Sequence, residues 1–103
     1  MKRILSTIGL MKQAGMLVSG TDAIFDAIRS GKAKLVLVAS DASEDTKKHF
    51  TDKTTYYNIP CEEIALTKDE LGEALGKKTA AAAAITSESF IKAYRASLAR
   101  DKA

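Results

Sequence analysis

The sequence predicts an α/β fold in which a small four-stranded sheet is sandwiched between helices. Three observations carry that prediction. Segments with apolar residues at helical spacing alternate with short apolar runs bounded by turn residues. The run Leu35-Val36-Leu37-Val38-Ala39 is apolar throughout and holds β-branched members, the pattern of a strand covered on both faces, as in a largely parallel sheet. Helix-opening signals follow the strand-like runs, at Ser19-Gly20-Thr21, at Ser40-Asp41-Ala42-Ser43 and at Thr67-Lys68-Asp69-Glu70.

Each element has its own warrant. From Lys2 to Ala14 the residues Ile4, Leu5, Ile8 and Met11 recur at helical spacing, and Gly15 ends the run. Met16-Leu17-Val18 is short and apolar, suited to an edge strand. A helix then opens at Gly20, with Ser19 or Thr21 as cap and Asp22 in the first turn, where the helix dipole favours an acid. Thr21, Ile24, Phe25 and Ile28 give it a buried face, and Ser30-Gly31 ends it. After the strand at Leu35 to Ala39, Thr46, Phe50, Lys53 and Tyr57 mark one face of the next helix. Asn58-Ile59-Pro60 stops that helix, because Pro60 disfavours helical geometry at Ile59. Cys61 to Ala65 is a weaker strand. Thr67 and Glu70 form a capping box for a helix that runs to Gly76. Alanine favours helix, yet Gly76 as a cap and the order of elements assign Ala80 to Ala84 to a strand. Ser87 caps a terminal helix with Phe90, Ile91, Tyr94 and Leu98 on one face.

Composition narrows the function classes. The 103 residues make one domain, and 46% apolar with 28% charged residues of both signs argues against disorder. No apolar run reaches the roughly 20 residues of a membrane span. Met1-Lys2-Arg3 opens like a secretory leader, but Ser6, Thr7, Lys12 and Gln13 break its apolar stretch, and a cytoplasmic protein is expected. One cysteine and one histidine exclude an intramolecular disulfide and a zinc site, and no cofactor is expected. The net charge of +3 permits a polyanionic partner without requiring one.

Catalytic constellations are missing from the sequence. It has no nucleophile elbow, no P-loop and no dinucleotide fingerprint. His49 reads as a solvated helix residue among Lys47, Lys48 and Asp52, and Cys61 as a small buried hydrophobe. Asp41 and Glu44 read as cap and dipole partners, and Glu62 and Glu63 in a strand point to opposite faces. A binding protein is the better expectation. Gly20 opens a helix whose outward N-terminal amides suit a phosphate, provided that other loops such as Lys77-Lys78-Thr79 approach the same end of the sheet.

Longer stretches carry a family likeness. Ala14-Gly15-Met16-Leu17-Val18-Ser19-Gly20 is followed by Ala27-Ile28-Arg29-Ser30-Gly31-Lys32-Ala33-Lys34-Leu35-Val36. Then come Ala39-Ser40-Asp41-Ala42-Ser43, Tyr57-Asn58-Ile59-Pro60 and Leu71-Gly72-Glu73-Ala74-Leu75-Gly76, with a small-residue strand behind. From Ile4 to Ala99 the chain resembles the L-seven-Ae, L-thirty-e and Gadd45 superfamily of ribosomal and kink-turn-binding proteins, in a bacterial branch of it. The resemblance implies a three-layer α-β-α sandwich with a small mixed four-stranded sheet. It also implies RNA binding rather than catalysis, with structured RNA, ribosomal or otherwise noncoding, as partner and the ribosome as a candidate setting. No heptad or long apolar edge demands a dimer, and a monomer is expected.

The resemblance implies site residues as well. In kink-turn-binding members the turn matching Gly20 is followed by an Asn and a Glu that contact sheared G·A pairs, and by a Lys on the backbone. Here those three positions hold Asp22, Ala23 and Asp26. Ionised Asp only accepts hydrogen bonds, Ala23 offers none, and Asp26 adds a negative charge that Arg29 could neutralise. Close backbone approach is expected at Ser19, Gly20 and Thr21, and phosphate neutralisation at Arg29, Lys32, Lys77 and Lys78. The second RNA-facing loop is Lys77-Lys78-Thr79-Ala80-Ala81. The alternative is a protein-interaction module that kept the fold and lost the kink-turn site.

Overall fold

Five helices and four strands follow one another through residues 3–102, the part of the chain that the computed structural model describes. They are α1 (Arg3–Gln13), β1 (Leu17–Ser19), α2 (Thr21–Arg29), β2 (Leu35–Ala39), α3 (Glu44–Tyr56), β3 (Cys61–Ile64), α4 (Lys68–Leu75), β4 (Ala82–Ile85) and α5 (Glu88–Lys102). The strands form one sheet in the order β1-β4-β2-β3. Strand β2 pairs parallel with β3, setting Val36 opposite Cys61 and Ala39 opposite Ile64. It pairs antiparallel with β4, setting Leu35 opposite Ile85 and Val38 opposite Ala82. Strand β1 closes the edge antiparallel to β4, with Ser19 opposite Ala83.

Hydrophobic burial explains the layering. All five residues of β2 and all four of β4 are buried, as central strands between two helix layers require. The small alanines of β4 let helices approach the sheet closely. Helices α2 and α3 meet through Phe25 and Phe50, whose rings lie 5.1 Å apart. Helix α1 packs against α4 and α5 in the other layer. The fully buried large side chains include Ile8, Met11, Ile24, Ile28, Leu37, Phe50, Leu71 and Tyr94.

Most expected elements stand where the sequence puts them, and the sandwich with its mixed sheet is observed. The largely parallel sheet is not: β2 has one parallel and one antiparallel neighbour, because β4 is inserted between β1 and β2. Neither Ser19 nor Thr21 caps α2. Its N-cap is Gly20, with φ 94° and ψ 133° and no side-chain cap bond. The positive φ is open to glycine and lies outside the range that a serine or threonine cap adopts. Thr21 is exposed, so the buried stripe of α2 runs through Ile24, Ala27 and Ile28. On α3 the stripe runs through Phe50 and Thr54, while Lys53 and Tyr57 face solvent. Thr54 is buried at low cost because its hydroxyl donates to the Phe50 carbonyl at 2.7 Å.

Candidate nucleic-acid interface

Strand direction decides which loops meet. Strands β1, β2 and β3 all point their C-terminal ends toward one end of the sheet, and β4 begins there. Helices α2, α3 and α4 therefore open at that end, each with the partial positive charge of its N-terminus. Ser43 caps α3 by accepting from Thr46 N at 3.1 Å. Thr67 and Glu70 form the expected capping box on α4. Asp41 reaches across to α4, where its Oδ1 accepts the Lys68 amide at 2.7 Å. At α2 no side chain takes the cap position, so its first-turn amides stay available to an outside acceptor.

The Lys77-Lys78-Thr79-Ala80-Ala81 loop arrives at the same place by way of α4. Gly76 ends that helix in the left-handed conformation, at φ 73°. The Lys77 amide then donates to Gly72 O at 2.8 Å, and the Ala80 amide to Lys68 O at 3.0 Å. The Ala39 amide binds Ala81 O at 2.8 Å, which fastens the loop's exit to β2. Gly72 makes this path possible. A Cβ there would lie 2.6 Å from Thr79 Cα and 2.8 Å from Thr79 N, closer than atoms can pack.

The two segments share a recess of about 210 Å³. Gly20, Thr21, Lys77, Thr79, Ala80 and Ala81 line it, with Ile24 and Phe50 contributing apolar surface. It has backbone donors and the Lys77 cation at the rim and hydrocarbon at the base. Ser19 is half-buried on β1, while Gly20, Thr21, Asp22, Ala23 and Asp26 are exposed along α2. Lys77 and Lys78 are exposed as well.

Arg29 and Lys32 lie elsewhere. Arg29 is the last residue of α2 and Lys32 follows it, so both lie at the end of a nine-residue helix, roughly 13 Å from its start. Arg29 Nη2 holds Asp26 Oδ1, an exposed pair on one face of α2. The expected neutralisation of Asp26 is present, and it occupies the cation.

Several residues at the site were not legible as such. Ile24 and Phe50 read as core positions, and Lys68 as part of a capping box. Ile24 and Phe50 stay buried, and only the recess shows that they lie beneath it. Only the Ala80 amide bond brings Lys68 beside the loop. Periodicity reports burial, and it does not report which buried side chain floors a recess.

The remaining polar residues are accounted for structurally. Glu62 and Glu63 do face opposite ways: Glu62 pairs with Arg95 on α5, and Glu63 Oε1 holds Lys47 Nζ of α3 at 2.8 Å. The hydrogen-bonded carboxylates of Glu62 and Glu63 raise the pKa values of Arg95 and Lys47 respectively. Tyr94 is pushed up to about 12, first by burial and then by the Glu62 carboxylate. Cys61 is half-buried rather than fully buried, and burial still pushes its thiol up, away from the reactive thiolate. His49 is exposed with its ring edge toward Phe25. Among the described residues no cluster of three metal-ligating side chains occurs, and no helix is long and apolar enough to cross a membrane.

Known proteins share sequence and fold with this chain. The sequence profile of the Ribosomal protein L7Ae/L30e/S12e/Gadd45 family matches residues 2–94. The chain belongs to that family. Its relatives include two proteins named RNA-binding protein YlxQ, which assign it to the YlxQ-like branch. The one from Enterococcus faecium is 42% identical over 76 residues, 74% of this chain and 73% of that protein. The one from Bacillus subtilis (strain 168) is 39% identical over 83 residues, 81% of this chain and 82% of that protein. A solved structure from Bacillus halodurans C, described as a protein with unknown function, superposes with a TM-score of 0.85 at 29% identity. It covers 96% of this chain and 99% of that one. The Giardia lamblia 15.5kD RNA binding protein has the same fold, with a TM-score of 0.72 at 19% identity over 96% of this chain and 84% of that one.

Proposed function

We propose that this family member is a cytoplasmic, monomeric, non-catalytic RNA-binding protein. It grips structured RNA, ribosomal or otherwise noncoding, at the end of the sheet where α2 opens. One observation carries the reading: Gly20 and the Lys77–Ala81 loop, far apart in sequence, line one recess at an uncapped helix N-terminus. An RNA backbone turning sharply there would place a phosphate on the α2 amides and a second on Lys77 or Lys78. The apolar base of the recess would take sugar or base surface. The names of the YlxQ relatives support the ligand class.

The test is a salt titration of binding to a structured RNA pool. Lys77→Ala with Lys78→Ala should weaken binding and reduce the salt slope by about one to two, since each phosphate contact contributes roughly 0.7 to 0.9. An unchanged slope removes the loop from the site. The exposed acids Asp22 and Asp26 favour a second reading, a protein-interaction module on the same fold. Absence of any salt-dependent RNA binding would decide for it.

A further inference from the structure

The far end of α2, remote from the Gly20 recess, holds exposed aromatic and basic side chains that the site above does not use. Tyr56 is 80% exposed and Tyr57 37%, with ring centroids 4.9 Å apart at 72°. Their mounting is rigid. Tyr57 caps α3 through its backbone, Asn58 turns the chain at φ 58°, and the Ile59 amide ties it back to Thr54 O at 2.8 Å. A recess of about 410 Å³ beside α3 is lined by both tyrosines, His49, Asp52 and Lys53. A second, of about 300 Å³, shares Tyr57 and adds Arg29, Lys34 and Asn58.

The charges at this end favour a polyanion. Lys53 and the neighbouring Lys32 have no ion-pair partner among the described residues, and Lys34 Nζ donates to the Gly31 carbonyl at 3.3 Å. Arg29 is held by Asp26, and Asp52 is the acid in the lining. Lys53 also complements the C-terminal dipole of α3, which accounts for a cation in its last turn. The dipole gives no reason for two adjacent tyrosines held in water. Aromatic faces beside free cations are what unpaired bases on a phosphate chain require.

We propose that Tyr56 and Tyr57 stack on unpaired bases of a single-stranded segment, while Lys53 and Lys34 neutralise its phosphates and the Asn58 side-chain carboxamide meets a base edge. This second contact rests on the RNA reading and is separate from the Gly20 recess. A structured RNA held at that recess would pass its single-stranded flank along α2 to the tyrosines.

The protein supplies its own probe. It has three tyrosines and no tryptophan, and the third, Tyr94, is buried. Titrating the whole protein with a six-nucleotide oligouridylate at low salt should quench tyrosine fluorescence, and added salt should reverse the quench. Tyr56→Ala and Tyr57→Ala should each weaken binding of this probe roughly tenfold, whereas Tyr→Phe at both positions should retain it in an anisotropy assay. Lys77→Ala with Lys78→Ala should leave the quench intact while weakening structured RNA. Absence of quenching, or alanine variants that bind as well as wild type, overturns the second contact. If structured RNA still binds in a Lys77-dependent way, that failure leaves the first site standing; if it does not, both fall. Tyr56 is exposed enough that its alanine variant will fold. Should Tyr57→Ala melt, Tyr56→Ala and the wild-type quench decide.

Discussion

At the scale of single residues, two glycines in helices show how differently one residue type can be used. Gly9 lies inside α1, and a Cβ there would meet nothing nearer than Ala74 O at 3.8 Å. Gly72 lies inside α4, where a Cβ would strike the backbone of Thr79 and Lys78. Backbone cannot swing aside as a side chain does, so the 77–81 loop would have to lift from the helix. Gly72→Ala should therefore destabilise the protein by about 1–3 kcal/mol, as overpacking does, and weaken RNA binding beyond that loss. Gly9→Ala should stabilise it by about 0.5–1 kcal/mol through helix propensity and leave binding unchanged. Thermal melts and RNA titrations on both variants check the pair; equal behaviour would mean that the loop does not depend on Gly72. The sequence shows both glycines and no difference between them. The contact that separates them joins a helix to a loop across a turn, and no periodicity encodes it.

At the scale of elements, the boundaries were largely legible because caps and breakers act locally. Ser43, Thr67 with Glu70, and Gly76 each did what their chemistry predicts, while α3 ends at Tyr56 with Asn58 turning the chain ahead of Pro60. What stayed hidden was anything supplied from a distance. Helix α1 has no acid in its own first turn. Its amides at Arg3 and Ile4 instead donate to the Asp101 carboxylate of α5, at 2.8 and 3.2 Å. Thr7 and Ser97 add a hydroxyl contact between the same two helices. Asp101 thus caps a helix from nearly the other end of the chain, and it does so with a charge that suits the dipole. Asp101→Ala should cost about 0.5–2 kcal/mol in denaturant melts and speed amide exchange in the first turn of α1. Asp101→Asn, which keeps an acceptor without the charge, should recover part of that. If exchange in α1 does not change, the cap contributes nothing in solution.

At the scale of the whole molecule, the sheet order separates a general scaffold from the side chains that would tune it. Strand direction brings three helix N-termini and the basic loop to one end; the loop's share depends on β4 running antiparallel to β1 and β2, which the alternation of elements did not show. The same geometry sends Arg29 and Lys32 to the opposite end, which their closeness to Gly20 in sequence concealed. A nine-residue helix turns neighbours in sequence into opposite poles of the domain. In the proposed reading, specificity at the Gly20 pole falls to the exposed face of α2, where Asp22, Ala23 and Asp26 stand. Two carboxylates there repel an approaching phosphate by on the order of 1 kcal/mol each in water-like surroundings. Arg29 offsets one of them through its pair with Asp26. Replacing Asp22→Asn, Ala23→Glu and Asp26→Lys together removes both carboxylates from this face, introduces one at position 23, and frees Arg29. It also restores the donors and acceptors that the family resemblance implies for kink-turn recognition. The triple variant should bind a standard kink-turn at least tenfold more tightly than wild type, with a steeper salt dependence from the added lysine. Affinity measured at two salt concentrations checks both. A variant that folds but gains nothing would show that the α2 face is not where a kink-turn is read in this chain, and would leave the loop and the recess as the determinants.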